Sequence, residues 1–307
     1  MEKKKLLIID ANALIHRAFH ALPSLTTKKG ELVNAVYGFL LILFKSIKDV
    51  RPDFIVATFD FPAPTFRHKK YKKYKAQRKK TPKELTQQIP VIKEILKKFK
   101  VKILEKKGFE ADDLIGYIVK KASQKKMKSV VVTGDLDLLQ LVDENVEVYG
   151  LRRGVKDIIL YDKEKVKEKY QGLKPSQLTD LKALKGDPSD NIPGVSGVGE
   201  KTAIELVKKF RTLESLYQQL EKNGEKVKKL SPALRKNLKK YKKQAFLSRF
   251  LVELKYNIPL KINIEDFKWG DYNEEEVVRS FEDYDFRTLI PRLKEIKEEE
   301  NSQLTIL

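Results

Sequence analysis

The stretch Leu6-Leu-Ile-Ile-Asp10 decides the fold of this chain, because four apolar residues lead directly into a carboxylate. The pattern returns at residues 54–60 and 130–135, and longer stretches with helical periodicity, such as 36–47 and 91–99, lie between these runs. Short apolar strands that alternate with helices are typical of a buried parallel sheet. The sequence therefore predicts an α/β fold whose central, mostly parallel sheet is flanked by helices.

All three apolar runs end in an aspartate, namely Asp10, Asp60 and Asp135. In open parallel sheets, ligands bind beyond the carboxyl ends of the strands, so we expect these carboxylates to converge in one crevice. Aspartate is also favoured in the turns that end strands, which would give the same pattern without a ligand. A larger set of carboxylates is needed to separate the two interpretations.

The chain of 307 residues has 64 Lys and Arg against 43 Asp and Glu, a formal net charge of +21. This excess favours a polyanionic partner, first of all nucleic acid, although lysines can also serve only to solubilise a surface. The absence of cysteine excludes disulfides and cysteine zinc sites and is typical of a reducing compartment. The longest apolar run, residues 38–44, is far shorter than the roughly 18 residues that span a bilayer. We expect a soluble intracellular protein with no membrane partner.

Composition divides the chain into residues 1–174, 175–255 and 256–307. The first part carries the strand signals, the second consists of helical stretches joined by Gly/Pro-rich turns, and the third completes the fold or leads to a linker. Within the first part, residues 66–83 hold ten Lys or Arg and two Tyr without a convincing apolar face. This basic island predicts a mobile loop or exposed helix, at about 65–90, that grips phosphates.

Nine carboxylates in five groups accompany the strand pattern. They are Asp10, Asp60, Glu110, Asp112, Asp113, Asp135, Asp137, Asp187 and Asp190. If they share one crevice, their mutual repulsion requires cations, and oxygen ligands in a chain with only three histidines favour Mg²⁺ or Mn²⁺ over zinc. Two such ions about 4 Å apart can generate hydroxide and stabilise both oxygens of an in-line phosphoryl displacement. A single group, such as residues 110–113, would also suit the acidic first turn of a helix.

A glycine-rich turn at residues 193–203 lies in the helical part. It misses the phosphate-binding loop of nucleotide hydrolases by one residue, since Glu200 separates Gly199 from Lys201. A hairpin between two helices that offers backbone amides to a phosphodiester suits the turn better. A turn that holds no ligand stays an alternative.

Together these motifs resemble the 5′ nucleases, a family that includes the flap endonucleases, and most closely the amino-terminal 5′-3′ exonuclease domain of bacterial DNA polymerase I. The resemblance is ordered along nearly the whole chain. Besides the carboxylate groups, it rests on Ala35-Val-Tyr-Gly-Phe, Thr65-Phe-Arg67, Tyr74-Lys75-Ala-Gln-Arg78, Gly186-Asp-Pro-Ser-Asp190-Asn-Ile-Pro-Gly and Gly197-Val-Gly-Glu-Lys-Thr. The departures from the family pattern, among them Ala11 and Leu136, remove no carboxylate.

The resemblance implies a PIN-like 5′ nuclease fold with a helical arch, formed by the basic island, and a carboxyl-terminal helix-hairpin-helix subdomain. It implies a structure-specific 5′-3′ exonuclease and 5′-flap endonuclease that hydrolyses DNA with two Mg²⁺ or Mn²⁺ ions. The implied partners are DNA with a 5′ flap, nick or free 5′ end, an RNA primer–DNA hybrid, and a covalently linked polymerase in the full-length protein. Primer removal and DNA repair in the bacterial cytosol or nucleoid would follow.

The resemblance also assigns roles to residues. Asp10, Asp60, Glu110 and Asp112 would surround one metal ion, and Asp135, Asp137, Asp187 and Asp190 would favour the other, with the place of Asp113 left open. Lys75, Arg78 and Arg67 would face the scissile phosphate as catalytic residues. Tyr74 would stack on an unpaired base. The other implied DNA contacts are Arg17, Gly194, Gly197, Gly199, Lys201 and Thr202, with a K⁺ ion held by main-chain carbonyls of the hairpin.

Two other interpretations compete with a DNA nuclease. One is a structure-specific DNA-binding protein of the same fold with weak catalysis, against which the intact carboxylates argue. The other is an RNA-directed nuclease of the PIN-like class, against which the basic island and the hairpin argue. The sequence leaves open whether the nuclease is free-standing or the amino-terminal part of a polymerase, and how exonuclease and endonuclease activities balance.

Overall fold

The computed structural model describes residues 3–304, with side chains described for residues 3–298. Its strands form one six-stranded sheet. They are β1 (Lys5–Asp10), β2 (Phe54–Thr58), β3 (Lys102–Leu104), β4 (Lys128–Thr133), β5 (Val146–Arg153) and β6 (Asp157–Tyr161). The order across the sheet is β3-β2-β1-β4-β5-β6, with β6 antiparallel to β5 and the other neighbours parallel.

The helices fall into two groups by their place along the chain. Those of the sheet region are α1 (Ala11–Ala21), α2 (Asn34–Val50), α3 (Phe66–Lys70), α4 (Lys83–Thr86), α5 (Ile89–Lys98), α6 (Ala111–Gln124) and α7 (Lys163–Lys169). Those that follow are α8 (Leu178–Lys185), α9 (Glu200–Phe210), α10 (Leu213–Glu221), α11 (Glu225–Lys228), α12 (Pro232–Lys240), α13 (Lys242–Val252), α14 (Glu274–Asp283) and α15 (Ile290–Leu304). Short 3₁₀ helices cover Leu136–Leu141, Pro175–Gln177, Pro188–Asp190, Ile264–Phe267 and Arg287–Leu289.

The alternation of side chains along β1 divides the core into two layers. Leu6 and Ile8 face a layer that contains α6 and helices α8 to α10. Leu7 and Ile9 face the opposite layer, which contains α1, α2, α5, α14 and α15. Because both faces of the sheet are covered, its central strands are continuously apolar, as the sequence predicted. The α/β class with a mostly parallel, helix-flanked sheet is confirmed.

The strand order reverses between β1 and β4. The chain runs from β1 outward to β2 and β3, then returns through α6 to place β4 on the other side of β1. Open α/β sheets bind ligands at such a reversal, beyond the carboxyl ends of the strands. Asp10 ends β1, and Asp135 lies two residues beyond β4, so both stand at this position.

Three strands were not identified from the sequence. β3 has only three residues, and β5 and β6 mix apolar residues with charged ones at the sheet edge. Their register is fixed by neighbouring strands rather than by a strong local pattern. The basic island also differs from a long arch helix, since it holds α3 and turns, with α4 beginning at its last residue. Within residues 3–304, no helix combines the length and apolar character that a membrane crossing requires.

Candidate active site

Asp10 is the most enclosed carboxylate at the strand reversal. It caps the amino terminus of α1, where Oδ1 accepts from the amide of Ala13 at 3.3 Å. Oδ2 accepts from the hydroxyl of Thr133 at 2.6 Å. The end of β4 therefore holds the side chain that ends β1, and the two adjacent strands orient this carboxylate before any ligand arrives.

The amino terminus of α6 brings further carboxylates to the same place. Asp60, just beyond β2, accepts from the amide of Ala111 at 2.8 Å. Glu110 caps the helix and Asp112 lies in its first turn. Negative side chains are favoured at a helix amino terminus, where free amides and the helix dipole carry positive charge. The sheet edge and one helix end together gather Asp10, Asp60, Glu110 and Asp112.

The carboxylates of this first cluster repel one another. Burial, reinforced by the charges of Asp135 and Asp60, raises the pKa of Asp10 to about 7, although the bond from Thr133 opposes the shift. Burial also raises the pKa of Asp112 well above its usual value, and the charges of Asp10 and Asp135 act in the same direction. Because ionisation of these acids is unfavourable, a bound cation would stabilise their charged forms.

A second cluster continues from β4 toward the helical region. Asp135 caps the 3₁₀ helix Leu136–Leu141 and accepts from the amide of Asp137 at 2.8 Å. Asp187 accepts from the amide of Ser189 at 3.0 Å and from its hydroxyl at 2.6 Å. Lys182 of α8 joins the two loops, because its ammonium contacts Asp137 and lies 2.7 Å from Asp187.

The pKa values of the two aspartates beside Lys182 are shifted in opposite directions. Burial and the charge of Asp135 raise the pKa of Asp137 to about 6, despite Lys182. Burial alone would also raise the pKa of Asp187, but the hydrogen bond and charge of Lys182 and the bonds from Ser189 lower it to about 2. Asp137 therefore keeps a repulsive environment, whereas Asp187 is satisfied by the protein itself.

Asp190 connects this cluster to the basic island. Its carboxylate contacts the guanidinium of Arg78, and its carbonyl accepts from the amide of Lys75 at 2.9 Å. Asn191 donates to the carbonyl of Lys73 at 2.6 Å, and Gln77 donates to that of Pro188. This part of the island is therefore anchored to the loop before the glycine turn, not free as the sequence predicted.

Lys75 and Arg78 both reach the carboxylates. The ammonium of Lys75 lies 3.1 Å from Glu110 and 3.9 Å from Asp190. Lys75 adopts a left-handed backbone with φ of 54° within the turn at residues 72–77. The side chain of Arg78 is 50% exposed, so its guanidinium is accessible from outside.

Arg67 and Asp113 differ from their predicted roles. Arg67 is 2% exposed and Asp113 is fully buried, and two guanidinium nitrogens lie 2.6 and 2.8 Å from the two oxygens of Asp113. The fork also donates to the carbonyls of Leu251 and Glu253 at 2.8 and 3.0 Å. A pair with all its groups satisfied in the interior fixes the fold and leaves neither residue available to a phosphate or a metal ion.

Tyr74 also differs from its predicted role. Its side chain is buried, with 3% exposure for the residue, and its hydroxyl donates to Glu110 at 3.1 Å. The ring packs edge-on against His68 at a centroid distance of 5.3 Å. A ring in this position orients Glu110 and cannot stack on a base without leaving the core.

The donor set fits divalent metal ions by its chemistry. Carboxylate oxygens are the ligands that Mg²⁺ and Mn²⁺ prefer, and the pKa values of Asp10, Asp112 and Asp137 are raised first by burial and then by neighbouring carboxylates. Within the described side chains, no group of three or more acids and histidines forms a ready-made metal site. Lysine and arginine side chains contact several of the acids instead.

The glycine turn lies between α8 and α9, as a hairpin. Gly194, at φ of 61°, packs so closely on Gly186 that an added Cβ would lie 2.3 Å from the Gly186 amide nitrogen. Ser248 of α13 accepts from the amide of Gly194 at 3.1 Å, and Gln244 donates to its carbonyl at 2.6 Å. Gly194 is therefore a packing residue, which differs from the DNA contact predicted for it.

The other residues predicted at the hairpin are open to solvent or nearly so. Gly197 and Gly199 are exposed, and an added Cβ at Gly199 would have no neighbour within 4 Å. Gly199 caps α9 without a side-chain hydrogen bond to the first turn, next to exposed Lys201 and half-buried Thr202. This helix end presents amides and a cation on one surface, which suits a phosphate.

Arg17 lies at the rim of a groove of about 890 Å³ beside the second cluster. Its guanidinium donates to the carbonyl of Arg152 at 3.2 Å, and Gly134 lies alongside it. Arg152, Arg153 and Lys165 also line the groove, so its charge is mainly positive. The predicted DNA contact at Arg17 thus has a cationic surface around it.

Comparisons with known proteins identify the family and the fold of this chain. A family model described as "5'-3' exonuclease, N-terminal resolvase-like domain" matches residues 5–171, and one described as "5'-3' exonuclease, C-terminal SAM fold" matches residues 173–275. DNA polymerase I of Bacillus subtilis is 42% identical over 295 residues, which cover 96% of this chain and 33% of that protein. DNA polymerase I of Mycobacterium tuberculosis is 40% identical over 293 residues, covering 95% and 32%. This chain spans about a third of the length of these relatives.

Solved structures share the fold at lower sequence identity. A T5 5'-exonuclease with bound zinc ions superposes with a TM-score of 0.65 at 23% identity, covering 82% of this chain and 90% of that one. The catalytic core of Rad2 in complex with a DNA substrate superposes with a TM-score of 0.61 at 18% identity, covering 94% and 93%. These similarities support the assignment of the fold, including the helical region after the sheet.

Proposed function

The chain belongs to the 5′-3′ exonuclease family, and on this premise we propose that it is a structure-specific nuclease that hydrolyses DNA from a free 5′ end or at a 5′ flap with two divalent ions, Mg²⁺ or Mn²⁺. The observation that carries the proposal is the gathering of Asp10, Asp112 and Asp135 at the strand reversal. There burial and the charge of Asp135 raise the pKa values of Asp10 and Asp112. Clustered carboxylates of this kind ionise more readily when a cation is bound than when no cation is present.

The carboxylates would hold the ions, and the basic side chains would handle the substrate. Asp10, Asp60, Glu110 and Asp112 are the proposed ligands of one ion, and Asp135, Asp137, Asp187 and Asp190 of the other. When bound, such ions lower the pKa of a water nucleophile and offset charge on a phosphate. Lys75 and Arg78 already stand at Glu110 and Asp190, from where their charges can stabilise the phosphate as negative charge develops.

The hairpin between α8 and α9 would hold the duplex part of the substrate. Gly197, Gly199, Lys201 and Thr202 leave the start of α9 open to a phosphate. A K⁺ ion on main-chain carbonyls of this hairpin is part of the proposal. Arg17 and the cationic groove beside it would contact a further stretch of the backbone.

The relatives suggest the biological setting. DNA polymerase I carries a region similar to this chain within a protein about three times as long. We therefore propose that a polymerase acts with this nuclease, as a linked domain or a partner, in removing RNA primers from primer–DNA hybrids and in repair.

Digestion of a labelled 5′ flap, a nicked duplex and single-stranded DNA in parallel tests the proposal. The chain should cleave a 5′ flap and a nicked duplex in Mg²⁺ and bind them without cleavage in Ca²⁺. Asp135→Ala should lower the single-turnover rate at least about 100-fold while leaving flap binding largely intact. Asp283→Asn, an exposed acid far along the chain, serves as the control and should cleave like the parent.

Two results would contradict the proposal. Undiminished cleavage by Asp135→Ala would show that the carboxylate cluster does not take part in the reaction as proposed. Flap binding by the parent chain without cleavage in Mg²⁺ or Mn²⁺ would leave a DNA-binding protein of the same fold.

A further inference from the structure

Lys182 bridges two of the proposed metal ligands. Its ammonium lies 2.7 Å from Oδ2 of Asp187 and also contacts Oδ1 of Asp137. The side chains are 19% exposed for Lys182, 27% for Asp137 and 15% for Asp187. One lysine of α8 therefore holds together two loops that are distant in sequence.

A divalent ion that binds Asp137 and Asp187 competes with this ammonium. Oδ1 of Asp187 already accepts from the amide and the hydroxyl of Ser189, so Oδ2, which accepts from Lys182, is the oxygen left for an ion. Oxygen ligands bind Mg²⁺ at about 2.1 Å through their lone pairs. An oxygen that accepts a hydrogen bond from the Lys182 ammonium has one of these lone pairs already in use. The two cations would also repel each other at this distance. Binding of an ion to both carboxylates therefore requires the ammonium to move away.

The surroundings allow that movement. A cavity of about 30 Å³ lies beside the lysine and is lined in part by Gln140, Tyr170 and Lys185. A cavity of this size holds about one or two water molecules, so it can also accept a displaced polar group. Space for a displaced ammonium therefore lies beside its present position.

We propose that Lys182 is an internal competitor of the divalent ion: it neutralises Asp137 and Asp187 in the metal-free protein and thereby weakens the metal affinity of this part of the site. The inference rests on the proposed function, in which Asp137 and Asp187 bind a metal ion. Lys182 touches no reacting atom in this scheme and is a positioning residue.

Mn²⁺ binding to the full chain without DNA tests the inference, with free Mn²⁺ followed by electron paramagnetic resonance. Lys182→Met and Lys182→Gln remove the charge at similar length, and glutamine keeps a hydrogen-bond donor if methionine impairs folding. The weaker Mn²⁺ site should bind about tenfold more tightly in both variants, because charge-assisted hydrogen bonds no longer have to be broken. The metal-free variants should melt at lower temperature than the parent, and Mn²⁺ should raise their melting temperature by more.

Lys185→Met is a matched control. Lys185 lies on the same helix, its side chain is 25% exposed, and its ammonium pairs with Glu200 at 2.8 Å. Its removal changes the net charge equally but frees no proposed ligand, so Mn²⁺ affinity should stay that of the parent. An equal gain of Mn²⁺ affinity in this control would show that the effect comes from the change in net charge and not from the loss of the contacts with Asp137 and Asp187. That result would overturn the inference.

Unchanged or weaker Mn²⁺ affinity in both Lys182 variants would also overturn it. The proposed function is judged separately, by the parent chain. If the parent binds Mn²⁺ and cleaves a flap while the Lys182 variants bind Mn²⁺ no more tightly, the inference alone fails. If the parent neither binds Mn²⁺ nor cleaves, both fail.

Discussion

The two carboxylate clusters neutralise their charge by different means. Asp10 and Asp112, at the sheet reversal, have hydroxyl, amide or carboxylate neighbours, and their pKa values are raised. Asp187 and Asp190, in the loop before the hairpin, contact Lys182 and Arg78. Asp10 and Asp112 therefore favour an external cation, whereas Asp187 and Asp190 already contact cations of the protein itself. If each cluster holds one ion, as proposed, the two halves of the site are not equivalent.

The largest effect should come from removal of a charge in the first cluster. Asp10→Asn should lower single-turnover flap cleavage by about 1,000-fold, since it removes a proposed ligand. In EDTA at about pH 8, the same change should raise the melting temperature by about 2 to 4 °C, because it relieves repulsion among buried charges.

Cleavage assays and thermal melting in EDTA check this pair of expectations, with Asp283→Asn as the control. A lower melting temperature in EDTA would show that the hydrogen bonds from Thr133 and Ala13 to an ionised Asp10 outweigh the repulsion. The contrast between the two clusters would then lose its basis.

A pH series should give the next largest effect. Burial raises the pKa of Asp10 to about 7 and that of Asp137 to about 6. Both acids therefore stabilise the folded protein when they are protonated and destabilise it when they are ionised. Their stabilising contribution is complete below the pKa of about 4 of an unfolded aspartate and is lost as the pH rises through 6 and 7.

The metal-free protein should therefore melt at progressively lower temperature between about pH 5.5 and 8, and Mg²⁺ should restore more stability at the upper end of this range. Thermal melts with EDTA or Mg²⁺ at each pH measure both trends. A Mg²⁺ effect that is constant with pH would mean that the ion does not replace protons at these acids.

The smallest effect should come from a cation of the second cluster. Arg78→Gln should lower single-turnover cleavage by about tenfold, because it removes a charge from the phosphate environment. Stability should fall by no more than about 1 kcal/mol, since the side chain of Arg78 is 50% exposed and Lys75 still lies 3.9 Å from the buried carboxylate of Asp190. Denaturant unfolding and cleavage assays together test this, and a stability loss well above that bound would make Arg78 a structural residue.

The sequence predicts the first cluster better than the second. Asp10 and Asp60 follow apolar runs, so their place at the sheet edge follows from strand periodicity alone. The contact of Lys182 with Asp137 joins α8 to a 3₁₀ helix 45 positions earlier in the chain, and no local pattern indicates it. The edge strands β5 and β6 were missed for a similar reason, since their pairing is set by neighbours.

Burial is the property that sequence motifs indicated least well. Asp113 shares a motif with Glu110 and Asp112, yet the turn of α6 directs it into the core. A signal was present, because an acid at the helix cap with another three residues later is the spacing of a capping box, and Asp113 accepts from the Glu110 amide at 3.2 Å. Arg67 and Tyr74 offered no such signal within a strongly basic segment.

The buried fork of Arg67 ties the start of α6 to the end of α13, and α13 in turn holds Gly194 of the hairpin through Ser248 and Gln244. A continuous set of short bonds thus spaces the hairpin from the carboxylates. These hydrogen bonds fix the distance between the hairpin and the carboxylate clusters. If the hairpin holds duplex and the carboxylates cut, the number of nucleotides between grip and cut is a constant of the fold, independent of the sequence of the DNA.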